Sequence, residues 1–173
     1  MKKSSYKLKK SENGRNSRLT MQVLFAISGV LLMGSGVLGC RTFELKPPEG
    51  FVRYKRTSKY YRAVSPDNAA IVVRSWKNKQ KGDLGFWVET VKRDFIKVRG
   101  YKFVKDDDAK AGTGEKGKRM WFESSHRGRM FSYQISLFVT KDKIYAVEAS
   151  VEKENLERHE KAFDAAVQKL KIL

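Results

Sequence analysis

The chain has 173 residues and a formal net charge of +18, because 37 Lys and Arg oppose 19 Asp and Glu. A single cysteine excludes an internal disulfide, and only two histidines exist, without the spacing that metal ligands require. The length suits one domain of ordinary size with a core of its own.

Residues 1–40 have the organisation of an export signal. Seven bases and one acid lie ahead of an uncharged run, residues 21–39, which ends directly before Cys40. A basic segment, an apolar segment and small residues in this order are typical of a signal peptide. The end of the run, Val37-Leu38-Gly39-Cys40, resembles the lipobox of bacterial lipoproteins. That resemblance implies cleavage after Gly39, so that residues 1–39 are removed, and attachment of a lipid to Cys40.

Two alternatives remain for this leader. An uncleaved anchor is one, because nineteen uncharged residues nearly reach the ~20 that span a bilayer as a helix; a buried core helix is the other. Positive charge resists translocation, so the basic segment is expected to stay in the cytoplasm. The lipoprotein and the uncleaved anchor therefore both place everything after residue 40 outside the cytoplasm. Asp directly after the lipidated cysteine resembles a signal that retains a lipoprotein in the inner membrane. This chain has Arg41 at that position, which favours the outer membrane.

The mature part, residues 40–173, carries 30 bases and 18 acids, a net charge of +12. Such a surface suits anionic lipid, nucleic acid or simple solvation. Export makes nucleic acid the poorest of these partners. Residues 40–50 include Pro47-Pro48 and are expected to form a short extended tether.

The first half of the domain at 51–173 predicts three strands and a helix. Aromatic and β-branched residues predict strands at 51–57, 59–64 and 69–76, with a turn at 65–68. Apolar residues at three- and four-residue steps predict a helix at 84–99, with Asp83 as its cap and Gly100 as its stop. The helical stripe consists of Leu84, Val88, Val91, Phe95 and Val98.

The second half predicts a strand, a loop, a meander and a closing helix. A strand at 101–105 is followed by a charged, glycine-rich loop at 106–117. Alternating residues predict strands at 118–125, 129–140 and 144–151, with one packed and one less packed face. The closing helix covers residues 152–170, and its apolar face consists of Leu156, His159, Phe163, Val167 and Leu170.

This order of elements resembles the Mog1/PsbP-like α/β/α sandwich, which includes lipoproteins of the DcrB family. The matching features are the turn at Ser65-Pro66-Asp67, the helix around Trp87, the meander and the closing helix. The resemblance covers residues 51–173. It implies an α+β fold, an antiparallel sheet with helices packed on it, and a non-catalytic binding or assembly module. It supplies no catalytic residues.

The residues themselves predict no catalytic, metal or cofactor site. His126 is expected to be exposed in a turn, and His159 to be a hydrogen-bonded packing residue. Ser125 and His126 are neighbours on a strand and point to opposite faces, which is unsuited to nucleophilic catalysis. The glycines at 112–117 lack the Lys-Ser/Thr step of a phosphate loop, and the acids at 106–108 lack the spacing of a calcium loop.

We therefore expect a lipid-anchored module of the bacterial envelope, without enzymatic activity. Its expected partners are the membrane, through lipid on Cys40, and a protein of the envelope. A small envelope hydrolase or transferase is the alternative from another class, and it would require Glu123, His126 and Glu148 to form one cluster. A passive spacer with an uncleaved N-terminal helix is the third possibility, and a large exposed apolar patch would distinguish a binder from it.

Overall fold

The computed structural model describes residues 41–173, so the predicted signal peptide, its cleavage at Gly39 and the lipidation of Cys40 lie outside the described residues. The strands are β1 (Phe43–Glu44), β2 (Val52–Arg56), β3 (Tyr60–Val64), β4 (Ala70–Lys77), β5 (Lys102–Lys110), β6 (Lys116–His126), β7 (Arg129–Val139), β8 (Lys143–Glu152) and β9 (Lys171–Ile172). The helices are α1 (Leu84–Arg93), extended by a π-helical turn (Asp94–Val98), and α2 (Leu156–Gln168), preceded by a 3₁₀ turn (Lys153–Asn155).

Seven of these strands form one antiparallel sheet in the order β2-β3-β4-β8-β7-β6-β5. The predicted meander is confirmed as β6, β7 and β8, which occupy neighbouring positions in the sheet. The two helices cover opposite faces, and each face has its own apolar core. The predicted α+β class, an antiparallel sheet with helices packed on it, is therefore confirmed.

The first core lies between the sheet and α2. The predicted apolar face of the closing helix is confirmed at Phe163 and Val167, which are buried in one core with residues of β3, β4 and β8. Leu170 is buried in the same core but lies beyond α2, which ends at Gln168 and not at residue 170 as predicted. His159 belongs to the same face and is also buried, with its ring packed against those of Phe51 and Phe163. Burial of one apolar stripe is what fixes a helix on a sheet.

The second core lies between α1 and strands β5 to β8. Asp83 caps α1, because its carboxylate accepts a hydrogen bond of 2.8 Å from the backbone N–H of Phe86. The predicted stripe fails only at Val98, which is 77% exposed. The backbone N–H of Arg99 bonds to the carbonyl of Asp94, five residues earlier, and this wider turn moves Val98 off the buried face. Gly100, with φ of +69°, ends the segment as predicted.

Strand β7 is buried on both faces, which corrects the expectation of one less packed face. Ser132, Gln134 and Ser136 point to the α2 side and are all buried. The amide oxygen of Gln134 accepts a hydrogen bond of 2.8 Å from Arg119, which also pairs with Asp164 on α2. Gln134 can be buried there because its amide oxygen has a partner, and Ser132 and Ser136 are small.

The segment predicted as a tether is part of the fold. Strand β1 pairs with β9, and Phe43 and Leu45 are both almost fully buried in the α2-side core. The prediction was wrong because two residues are too few for a β pattern, and the partner strand lies at the other end of the domain.

The loop predicted at 106–117 is mostly strand. Strand β5 continues to Lys110 and β6 begins at Lys116, which leaves only a short turn. Opposite charges stabilise the pairing: the ammonium of Lys118 lies 3.3 Å from Asp106 and 3.2 Å from Asp108. Cross-strand ion pairs of this kind make a sequence that looks like a loop suitable for a sheet.

Candidate binding surface

The face of β2, β3 and β4 on the α1 side is left open by the helix. The core under α1 contains residues of β5, β6, β7 and β8 and none of β2, β3 or β4. On these strands alternate residues point to opposite sides. Tyr61 and Ala63 of β3 enter the α2-side core, so their neighbours emerge on the other side. We call this surface the open face, and it consists of Tyr54, Lys55, Tyr60, Arg62, Arg74 and Trp76.

Aromatic rings and cationic groups alternate across the open face. Tyr54 is 73% exposed and Trp76 is 37% exposed, although rings of this size are usually buried. The guanidinium of Arg62 lies 5.7 Å from the ring centre of Tyr54, and that of Arg74 lies 5.9 Å from the ring centre of Tyr60. Each such contact at an exposed site contributes about 0.5–1 kcal/mol, which keeps these side chains against the sheet.

The charge of the open face is positive. The β2–β3 hairpin, residues 51–64, has five bases and no acid. Glu148 of the neighbouring β8 lies at the border, where its carboxylate is 3.2 Å from the guanidinium of Arg74. The same carboxylate accepts a hydrogen bond from the hydroxyl of Tyr133. Burial, followed by the charge of Glu148, raises the pKa of Tyr133 well above its usual range, so this hydroxyl keeps its proton.

A cleft of about 240 Å³ borders the open face where it meets α1. Arg74, Trp76 and Glu148 line it from the sheet, while Asp94 and Arg99 line it from the π-helical turn. Arg99 binds Asp94 at 2.8 Å, and its guanidinium lies 4.4 Å from the ring centre of Phe95. A cleft lined by charged side chains therefore separates the open face from α1.

A second cluster, on the α2 side, brings together Ser65, Asp67 and His159. The hydroxyl of Ser65 donates to one oxygen of Asp67, and Nε2 of His159 lies 2.8 Å from the other. Arg158 lies 3.3 Å from the same oxygen. A pocket of about 580 Å³ opens beside these groups. The turn at 65–67 was predicted, but its contact with His159 was not, because 92 residues separate the two.

The chemistry of this cluster is not that of a nucleophilic triad. Ser65 is bonded to Asp67 and not to the imidazole, whereas a serine nucleophile needs a base to take its proton. The hydrogen bond from Ser65, followed by that from His159, holds the pKa of Asp67 well below its usual range. A carboxylate of that kind is a poor base. The cluster instead joins the β3–β4 turn to the first turns of α2, and His159 is the hydrogen-bonded packing residue that was predicted.

The cluster that would favour a hydrolase does not form. Glu123 lies 2.6 Å from Lys153 and 3.9 Å from Lys102, and these cations lower the pKa of its carboxyl. Glu148 has its own partners at the open face. His126 is exposed at the end of β6, as predicted. Within residues 41–173 no group of three His, Cys, Asp or Glu side chains could hold a metal ion.

Several solved structures share this architecture. LpqN of Mycobacterium tuberculosis, described as involved in cell envelope biogenesis, is 16% identical, with a TM-score of 0.64 over 80% of this chain and 87% of its own. Cyanobacterial PsbP of Synechocystis sp. PCC 6803 is 9% identical, with a TM-score of 0.53 over 76% and 87%. A Pseudomonas aeruginosa protein of unknown function is 14% identical, with a TM-score of 0.52 over 68% and 94%.

The chain has a PsbP-like fold. No protein-family model and no curated protein sequence matches it. At these identities the solved structures show the fold alone, and function must be argued from the surface of this chain. Neither helix between residues 41 and 173 is long and apolar enough to cross a bilayer.

Proposed function

We propose that this protein is a lipid-anchored module of the bacterial cell envelope that binds an acidic segment of a partner protein through its open face. The anchor is the lipid on Cys40, and the folded domain lies outside the cytoplasm, with the outer membrane favoured. The succession of a basic segment, an apolar segment and small residues before Cys40 supports the anchor. An envelope role is in keeping with LpqN, although the likeness to it establishes only the fold.

The observation that carries the binding proposal is the composition of the open face. Tyrosine, tryptophan and arginine are the residues that contribute most to protein–protein binding energy. Here they lie on rigid strands, which lowers the entropy lost on binding. Lys55 and Arg62 form no ion pair within the described part of the chain, so an acidic partner would meet cations that are free to bind it. Complementary charge of this kind raises association rates and selects partners.

A non-catalytic role is supported by the chemistry of the described residues. Ser65, the serine beside His159, donates its hydroxyl to a carboxylate, and Glu123 and Glu148 each have separate structural partners. The open face offers no general base beyond Glu148, which Arg74 and Tyr133 already engage. Recognition is therefore the activity that this surface supports best.

The anchor is tested by metabolic labelling with radioactive palmitate. The wild-type chain is expected to be labelled and to sediment with membranes, whereas Cys40→Ala is expected to be unlabelled. Equal labelling of the two chains would exclude lipidation at Cys40. An unlabelled wild-type chain of unprocessed length, still in the membrane fraction, would favour the uncleaved anchor instead.

The open face is tested by photo-crosslinking in intact cells. A benzoylphenylalanine in place of Tyr54 is expected to give one discrete adduct, while the same group in place of Phe86, a ring 51% exposed on α1, is expected to give none. Lys55→Glu is expected to remove the adduct. Lys110→Glu, the same change at the opposite edge of the sheet, is expected to keep it. Adducts of equal yield from both positions, or none from position 54, would contradict binding at this face and favour a passive spacer.

A further inference from the structure

A second basic surface lies on the same hairpin, on the side away from the open face. A pocket of about 620 Å³ is lined by Arg41, Arg53, Arg56, Thr57 and Ser58. Its lining residues carry three guanidinium groups and two hydroxyls, and none of them carries a carboxylate. None of the three arginines forms an ion pair with any residue between 41 and 173. Three unneutralised cations beside one another repel, and this repulsion is relieved when an anion binds between them.

Two buried polar atoms in this region lack a hydrogen-bond partner. Nη2 of Arg56 is buried and unpartnered within the described residues, and so is the hydroxyl of Tyr61, which lies opposite Arg56 across the β2–β3 pair. Burial raises the pKa of the Tyr61 hydroxyl to about 12, and the positive charges of Arg53 and Arg56 lie near enough to oppose that rise. More than nine in ten buried polar groups in proteins have a partner, and an exception indicates a strained or ligand-binding site.

The pocket is held in place by the chain immediately after Cys40. The backbone N–H of Thr42 donates to the carbonyl of Ser58 at 3.3 Å, and its hydroxyl donates to the same carbonyl at 2.8 Å. The Thr42 hydroxyl also lies 2.6 Å from that of Ser75 on β4. These bonds fix Arg41 against the end of the hairpin. The cationic groups are therefore arranged before any ligand arrives, which lowers the entropy cost of binding.

We propose that this pocket binds a phosphate group, and that the phosphate is that of an anionic phospholipid headgroup. Guanidinium groups bind phosphate oxygens through paired N–H donors, and hydroxyls of serine and threonine supply further donors. The choice of a headgroup rests on the proposed function, because a lipid on Cys40 would hold the adjacent Arg41 at the membrane surface. Free phosphate has the same binding chemistry, so the two sources must be separated by experiment.

The site is tested with the full chain in a neutral detergent by isothermal titration calorimetry. One titrant is inorganic phosphate and the other is dihexanoyl-phosphatidylglycerol below its micelle concentration. We expect saturable binding of the lipid at one site, with inorganic phosphate competing for it. Arg53→Gln and Arg56→Gln are each expected to weaken binding about tenfold or more, the usual loss for a charge-assisted hydrogen bond. Arg93→Gln, an equal charge change on α1, is expected to leave binding unchanged.

Other results would overturn one part of the proposal or all of it. Binding of inorganic phosphate without binding of the lipid would overturn the headgroup and leave a site for free phosphate. Absence of both, or equal affinity in Arg56→Gln and wild type, would overturn the site itself. Circular dichroism of each variant shows whether it is folded, and Arg53→Gln changes only an exposed side chain, so at least one variant tests binding without a change in the core.

The same titration on Cys40→Ala separates this proposal from the proposed function. A pocket that binds phosphate needs no lipid on the chain, so Cys40→Ala is expected to bind both titrants as the wild type does. If palmitate labelling fails while phosphate still binds, the anchor is refuted. The phosphate site then remains, but the argument that its phosphate belongs to a membrane lipid is lost. If labelling succeeds and neither titrant binds, the site alone is refuted.

Discussion

Gly117 has less room for a side chain than any other glycine of residues 41–173. It lies on β6, next to the edge strand β5, directly opposite Phe138 of β7. A β-carbon at this position would lie 2.3 Å from the carbonyl oxygen of Leu137 and 2.5 Å from Cδ1 of Phe138. Neither neighbour can move freely, because one is backbone in a central strand and the other is a fully buried ring.

Gly117→Ala is therefore expected to lower the free energy of unfolding by about 2–3 kcal/mol, the usual cost of forcing an extra carbon into a close-packed core. For a domain of this size that corresponds to a fall in melting temperature of roughly 10 °C. Urea unfolding followed by tryptophan fluorescence, and thermal unfolding followed by circular dichroism, measure the two quantities.

Gly85→Ala is the matched control, since it makes the same chemical change. A β-carbon there would have only ordinary contact, 3.5 Å from an oxygen of Asp83, and alanine is favoured over glycine in a helix. We expect the free energy of unfolding to rise by up to about 0.5–1 kcal/mol. If the free energy of unfolding of Gly117→Ala is within about 0.5 kcal/mol of the wild-type value, the close approach of β6 and β7 does not require a residue without a side chain, and the prediction is wrong.

Two further predictions concern a buried hydroxyl and a half-buried carboxylate. Tyr61→Phe removes an unpartnered hydroxyl, so the free energy of unfolding in anion-free buffer is expected to rise by about 1 kcal/mol; a fall would show that the hydroxyl has a partner. The pKa of Asp67 is lowered in the folded state, so its contribution to stability is complete above about pH 4 and is lost as the pH falls further. Urea midpoints at pH 6 and pH 3 should thus differ less for Asp67→Asn than for wild type, and equal differences would exclude this contribution.

Periodicity predicted the elements whose partners are near in sequence. The stripe of α2 and the alternation of β7 repeat over many residues, so both elements could be predicted, although the alternation of β7 did not show that its polar face is buried as well. Val98 was misassigned because a π-helical turn changes the period without a local signal. The strand predicted at 101–105 is the first part of β5, and its continuation to Lys110 was missed because three consecutive aspartates are unusual in strands and Lys118, which pairs with two of them, lies beyond a turn.

The open face could be predicted only in part. The sequence indicated that the folded part would carry a basic surface, and the β2–β3 hairpin of the open face has five bases and no acid. It could not show that α1 covers β5 to β8 and leaves β2 to β4 free, because the placement of a helix over a sheet depends on contacts between distant residues. From sequence alone, a strand that a helix covers cannot be distinguished from a strand that the helix leaves exposed, because the placement of the helix is not known.

The short sheet of β1 and β9 brings the two ends of the folded unit together. Phe43 lies opposite Ile172, and the backbone N–H of Leu173 donates to the carbonyl of Thr42 at 3.0 Å. A reporter fused after Leu173 would therefore begin beside Arg41, where the chain enters the folded unit, and would have little free space there. Fusion tags belong in the exposed turn at Arg127-Gly128 instead, and a circularly permuted chain opened at that turn could join its old ends with a linker of only a few residues.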